Sequence, residues 1–397
     1  MANGSGASAR RGGTVLREGD QVTPLELFFD LVFVLAITQC TALMAHDPTW
    51  ECLVRGLVVL GVLWWAWVGY AWLTSVVDPE EGIVRLAIFA AMAALLVVSL
   101  CVPEAFGALG LTFAVAYGLV RVGQLALFLV ASRDAPTLRH SVWIGLVPST
   151  AVGIALLVAA SQADGDAQLA LWGAALALDM LGPYLFGSEG WKLVPHHFAE
   201  RHGLIVIIAL GESIVAIGVG AEVGVDRGVI TAAVLGTALA AAMWWAYFDV
   251  VAIVAERRLS AASVGREQNE MARDSYSFLH FPMVAGIVLI ALGLKTTIAH
   301  VDESLRPEIA FALVGGVAIY LLAHVAFRFR NIHSLNRQRL VLALVLLALV
   351  PVADRPDAIV TLAVVTAFMC ALITYEAVRF ADGRNQVRHA DGRMAPS

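Results

Sequence analysis

The sequence predicts an all-α polytopic integral membrane protein of about 12 transmembrane helices, arranged as two parallel six-helix repeats. Three observations predict it. Of 397 residues, 59% are hydrophobic and only 15% charged, with a mean hydropathy of +0.79. A water-soluble chain of this length needs more polar surface to cover its core. The apolar residues fall into long runs, most near the ~20 residues that cross a bilayer's hydrocarbon. The basic residues between runs gather in alternate loops.

Taken in order, the runs are 24–45, 53–77, 83–102, 105–131, 140–161, 167–187, 202–222, 228–254, 275–298, 308–327, 339–354 and 357–379. The first opens with "PLELFFDLVFVLAITQ" and carries Glu26, Asp30 and Gln39. The second holds Trp64, Trp65, Trp67 and Trp72, read as packing residues, with a stacked lining for a cation path as the alternative. Arg121 stands in the fourth run, Asp179 in the sixth, Glu212 in the seventh and Asp249 in the eighth. The ninth carries His280 and Lys295, and the tenth His324. The eleventh is short and contains Pro351.

An even number of spans puts both termini on one side. With the N-terminus inside, only Arg55, Arg227, Arg306 and Arg355 of the 26 Lys and Arg fall outside, and Arg121 and Lys295 lie within spans. The positive-inside rule then sets both termini in the cytoplasm. Residues 1–23 are expected to be a disordered cytoplasmic tail and 381–397 a second tail. No signal peptide is evident. Cys40, Cys52, Cys101 and Cys370 show no ligand spacing and read as small apolar residues.

The repeat is read from internal similarity. Trp64-Trp65-Ala66 maps onto Trp244-Trp245-Ala246, and "LVP" recurs at 146–148 and 349–351. Tyr117 and Arg121 map onto Tyr320 and His324, and Glu26 onto Glu200. The halves are 24–187 and 196–380. Asp30 and Asp179 find no carboxylate counterpart in the second half.

Ionisable groups inside lipid carry the functional reading. An Asp or Arg at a helix centre costs ~2.5–3.5 kcal/mol on insertion scales, so such residues face the bundle interior or a cavity. Glu26 is placed at the cytoplasmic rim, in contact with water. Asp30 is one turn deeper, ~6 Å along the axis and on the same face. Arg121, Asp179 and Glu212 lie mid-span. Arg121 keeps its proton and needs a carboxylate, with Asp30, Asp179 and Glu212 the available partners. Three acids against one fixed base leave excess negative charge, the chemistry of a proton or cation pathway. The competing reading is a structural ion pair that fixes helix register. Asp30 and Glu212 are expected as the central acids, Arg121 as their counter-charge and His324 as its counterpart. In "GES" (211–213), Gly211 suits close helix packing, as do Gly218 and Gly220.

"HHFAERHG" (196–203) does not match a zincin spacing. His197, Glu200, Arg201 and His202 are read instead as a polar approach to the seventh span. No metal and no cofactor is expected. A rival reading, a membrane-embedded enzyme, would use His196, His197, Glu200 and His202 at the cytoplasmic surface, but no nucleophile constellation accompanies them. A non-transporting scaffold or sensor is the third class. The partners implied are the lipid bilayer and an ion or small-molecule substrate. An oligomer is compatible with the sequence, and nothing points to nucleic acid.

At "ELFFDLVFVLAITQ" (26–39) and "HHFAERHGLIVIIALGESI" (196–214) the sequence resembles the bacterial low temperature requirement A family. That resemblance implies a multi-pass protein of the bacterial inner membrane. The family's name refers to growth in the cold and implies no mechanism. By motif position Glu26, Asp30, His197, Glu200, Arg201, His202, Gly211 and Glu212 match its polar signature. A weaker resemblance runs to the two-repeat, twelve-helix endolysosomal potassium/proton channels, whose repeats open with Phe-Ser-Asp. Phe28-Phe29-Asp30 would correspond, but the second half has Arg201-His202-Gly203-Leu204 there.

Overall fold

The computed structural model describes residues 17, 20–80, 82–185 and 190–388. The expected disordered tail lies outside them except for residues 17 and 20–23, as does most of the C-terminal tail. The long helices are α1 Pro24–His46, α2 Trp50–Thr74, α3 Gly82–Cys101, α4 Gly110–Ala131, α5 Pro136–Ala160, α6 Gly165–Leu185, α7 Pro195–Gly220 and α8 Arg227–Phe248. A short α9, Val251–Ala261, follows. Then come α10 Arg266–Ala299, α11 Pro307–Ile332, α12 Arg337–Leu349, α13 Ala358–Arg379 and α14 Ala381–Arg388.

Local chemistry starts these helices. Thr23 caps α1 with its hydroxyl on the Glu26 N–H, while the Glu26 carboxylate takes the Thr23 N–H, and Pro24 supplies the first helical φ. Thr49, Asp226 and Asn336 cap α2, α8 and α12 by the side-chain bond alone, without the reciprocal one. Wide π-type turns interrupt α5 at 142–146, α10 at 272–278 and α11 at 311–315.

Among the described residues, ten helices are long and apolar enough to cross a membrane, by length and composition, against the twelve expected. The two others are α6 and α12. α12 has 13 residues, ending in a single tight turn at Val350–Val352 around Pro351. α6 reaches 21 residues but contains Pro183 and the buried Asp179. The expected eighth span breaks at Asp249 and Val250, where α8 ends and the more polar α9 begins.

α10 and α11 form the centre. Their apolar windows are 78% buried, against 33% for α5 at the periphery. They cross backbone to backbone: a methyl on Gly286 would lie 2.7 Å from the Gly316 carbonyl oxygen. The glycines noted in α7 behave otherwise. Nothing stands within 4 Å of a Cβ at Gly211 or Gly218, while one at Gly220 would meet the Lys295 carbonyl at 2.7 Å. Around the bundle, Ile83, Leu86, Leu119 and Leu344 are exposed, the apolar girdle that lipid requires. In the first half α1 packs on α2 and α3, α3 on α4, α4 on α5, α5 on α6, and α6 on α2. In the second, α7 packs on α8 and α10, α10 on α11, α11 on α12, α12 on α13, and α13 on α8. α1 also meets α7 and α10, which joins the halves.

Candidate functional site

Burying a charge requires a partner close enough to replace water. Three ionic groups satisfy that need in different ways.

The first lies where α1 meets α7. Glu26 and Asp30, one turn apart on α1, face Arg201, one turn beyond His197 on α7. Arg201 donates from Nη1 to Glu26 Oε1 (3.0 Å) and Thr74 Oγ1 (3.1 Å), and from Nη2 to Asp30 Oδ1 (2.7 Å). Trp67 Nε1 donates to the same Asp30 oxygen at 2.8 Å. His197 Nε2 lies 2.8 Å from Glu26 Oε1, and Arg17 adds a second guanidinium at 3.3 Å from Glu26 Oε2. Glu26 is 1% exposed, so it does not meet water at a rim. Arg201, expected at the polar approach, is itself 1% exposed. Arg201, not Arg121, offsets Asp30. Charge balance is reached without excess acid: two carboxylates face two guanidiniums and an imidazole.

The second group joins α4 and α6. Arg121 Nη2 donates to Asp179 Oδ1 (2.9 Å), and Nη1 to Gln124 Oε1 (3.2 Å) and the Trp65 carbonyl (3.4 Å). The Tyr117 hydroxyl reaches Asp179 Oδ2 at 3.3 Å. Gly69 makes room for Gln124, because a methyl there would lie 1.8 Å from Gln124 Nε2. The pair borders a cavity of about 110 Å³ walled by Trp65, Trp72, Phe128 and Trp191, with Asn269 and Arg273 also on its lining. Of the three partners open to Arg121, the fold selects Asp179.

The third group joins α11, α12 and α13. Arg339 binds Glu376 through two bonds, Nε to Oε1 at 3.0 Å and Nη2 to Oε2 at 2.8 Å. Its Nη1 donates to the Ala246 carbonyl (3.1 Å) and His324 Nδ1 (2.9 Å). Asn336 Nδ2 adds a bond to Glu376 at 2.9 Å. This pair borders a cavity of about 480 Å³.

Sequence reasoning missed Arg339, at the end of the basic stretch 328–339 that the positive-inside rule assigns to the cytoplasmic side, and Glu376, although the latter stands within the expected 357–379 span. Glu376 is the carboxylate counterpart that Asp179 lacked in the sequence. Arg17 and Trp67 were likewise not assigned to the acids. Glu212 stands apart from all three groups. It is 2% exposed, and Thr38 Oγ1 lies 2.5 Å from its Oε2.

The His and Glu of "HHFAERHG" do not converge. His196 Nδ1 meets Glu256 at 2.6 Å, Glu200 accepts the Val22 N–H at 2.9 Å, and His197 belongs to the first group. His202 is fully buried, its ring 4.9 Å from Trp67 and 5.2 Å from His280. Among the described residues, no group of three or more His, Cys, Asp or Glu side chains comes together in a way that would hold a metal ion.

A model of the bacterial low temperature requirement A protein (LtrA) matches residues 21–374. The chain belongs to the LtrA family. It is also 29% identical, over 309 residues, to an uncharacterized protein of Rhizobium meliloti (strain 1021), covering 75% of this chain and 74% of that one. No solved structure matches. The LtrA signature positions now have places in space. Glu26, Asp30, His197 and Arg201 form one ionic group at the α1–α7 contact, and His202 packs beside its Trp67. Glu200 is exposed, and Gly211 and Glu212 lie about 15 Å further along α7. This LtrA-family protein is a membrane protein that is helical, without strands, over the described residues, and four of those signature positions meet at its α1–α7 contact.

Proposed function

We propose that this LtrA protein carries a proton, a cation or a small solute across the bacterial cytoplasmic membrane, using carboxylates buried between its helices. One observation carries the reading: the buried pairs Arg121–Asp179 and Arg339–Glu376 each border a partly open cavity. Ionic groups held at depth beside open space are the usual furniture of a permeation path. Asp179 and Glu376 thereby join Asp30 and Glu212 as pathway acids, with Arg121 and His324 beside them.

The same reading takes α6 and α12 as the remaining two of twelve spans, in two parallel six-helix repeats with both termini cytoplasmic. Its support is the repeated neighbour order of the helices. A second support is the pair of carbonyls, Trp65 and Ala246, that receive the two guanidiniums and stand in the two Trp-Trp-Ala motifs. The distribution of Lys and Arg supports the orientation. In this arrangement the Glu26–Asp30–Arg201 group fastens one half to the other and His197, Glu200 and His202 frame it.

The test is flux in proteoliposomes under imposed pH and cation gradients. Wild type is compared with Asp179→Asn, Glu376→Gln, Asp30→Asn and Glu212→Gln. We expect Asp179→Asn and Glu376→Gln to lower flux at least tenfold. Equal flux in all five proteins, or none in the wild type under any gradient, overturns the proposal.

A further inference from the structure

The larger cavity carries a surplus of positive charge that its own ion pairs do not absorb. Arg328, Arg337, Arg339 and Arg384 line it, against Asp249 and Glu376. Arg339 is taken by Glu376, and Arg384 by Asp249. Arg328 donates to Ser334 Oγ at 2.9 Å, and among the described residues neither it nor Arg337 has a carboxylate partner. Two guanidinium charges therefore face the cavity unmatched.

Two neutral features point the same way. α12 begins on this cavity: Asn336, Arg337 and Gln338 all line it. Asn336 Oδ1 caps the Arg339 N–H, and the first-turn N–H groups at Arg337 and Gln338 add the positive end of a helix, which attracts anions. Below them lies His324, 1% exposed. Arg339 can only donate, so His324 Nδ1 accepts, and a neutral ring then carries its proton on Nε2. That Nε2 is buried and has no hydrogen-bond partner, yet His324 lines the cavity. Buried polar groups are ordinarily hydrogen-bonded, and this one is not.

The lining also includes apolar side chains, Trp245, Val250, Val254, Leu335 and Phe380. At about 480 Å³ the space is of small-molecule size. An oxyanion on an apolar body fits this mixed lining. We propose that the cavity binds the phosphate of an anionic phospholipid head group, with Arg328, Arg337 and the α12 N-terminus holding the phosphate oxygens and the apolar side chains receiving the start of the acyl chains. Basic pockets between membrane helices hold anionic head groups in this manner. The site shares this cavity with the proposed path, and the binding measurement below reads it without requiring transport.

The test is equilibrium binding to the full chain purified in a neutral detergent. The probes are fluorescent phosphatidylglycerol, fluorescent phosphatidylcholine and inorganic phosphate as competitor. We expect saturable binding of phosphatidylglycerol over phosphatidylcholine, weakened about fivefold by each of Arg328→Gln and Arg337→Gln. Both side chains are exposed, and an unchanged thermal transition checks that the variants fold. Displacement by millimolar phosphate supports the same oxyanion site with the free anion as its occupant. Lipid retention against phosphate supports the head group. Equal binding of the two lipids, or phosphatidylglycerol binding unchanged in the double variant, overturns the proposal.

Discussion

Arg121–Asp179 and Arg339–Glu376 are both buried guanidinium–carboxylate pairs that also reach the backbone of a Trp-Trp-Ala helix, yet their guanidiniums are carried differently. In the first half the arginine sits on α4, one turn after Tyr117. In the second, α11 offers Tyr320 and then His324, and the guanidinium reaches in from Arg339 on α12, which donates to His324. Both end on the backbone of the Trp-Trp-Ala helix, at Trp65 or Ala246. A guanidinium reaches a Trp-Trp-Ala helix in both pairs, from a different point of attachment in each. The acids stand on α6 and α13, which pack against the Trp-Trp-Ala helices α2 and α8. What each acid requires is a guanidinium between those helices, and more than one stretch of chain can deliver it.

The most damaging way to break the second pair is Arg339→Met. It leaves Glu376 buried with only Asn336, and removing one partner of a buried ion pair costs about 3–5 kcal/mol. Thermal unfolding in detergent reads the loss. The double variant Arg339→Met with Glu376→Met should be more stable than Arg339→Met alone, since no orphan charge remains. If the double variant is the less stable of the two, Glu376 is not held by Arg339.

Arg121→Met should cost less, about 3 kcal/mol, the low end of the same range. Asp179 keeps the Tyr117 hydroxyl, and its single bond to Arg121 is less than the two-bond grip on Glu376. A larger loss for Arg121→Met than for Arg339→Met, measured in the same detergent, would reverse the ranking that the geometry gives.

The difference between the pairs also explains what could be read from the sequence. The membrane class, and most of the spans, followed from apolar runs because lipid contact needs unbroken hydrophobicity on the outward faces. Asp179 as one partner open to Arg121 followed from simple pairing of deep charges. Arg201 did not follow: it stands early in a helix after a run of His and Glu, where charge is ordinarily solvated, and only the packing of α1 on α7 buries it. Arg339 was hidden for the same reason, in a basic segment that topology alone accounted for. The Trp-Trp-Ala copies misled about environment, since Trp64 and Trp65 are buried whereas Trp244 and Trp245 are exposed. A motif records chain direction and depth, and the neighbours decide which face is covered.

A relocation experiment sharpens the comparison further. His324→Arg with Arg339→Gln returns the guanidinium to the position that Arg121 holds in the first half. Against Arg339→Gln alone, the double variant should regain about 2 kcal/mol, the scale of a hydrogen bond to a charged group. No recovery would mean that the α11 position cannot reach Glu376, and that the two halves differ in more than the point of attachment.

The smallest effects come from the tyrosines, and they separate the two environments. Tyr117 donates to Asp179 Oδ2 at 3.3 Å, whereas Tyr320 donates to the Met243 carbonyl at 2.7 Å. Tyr117→Phe strips a carboxylate of one of its partners and should cost about 1.5 kcal/mol, in the range for a bond to a charged group. Tyr320→Phe removes a neutral bond and should cost about 1 kcal/mol despite its shorter distance. The distinguishing readout is coupling. Tyr117→Phe and Arg121→Met share Asp179, so their combined effect should depart from the sum, while Tyr320→Phe and Arg339→Met share no acceptor and should add. If the second cycle couples as strongly as the first, the Tyr320 hydroxyl belongs to the Glu376 network, and the two halves are chemically closer than their hydrogen bonds indicate.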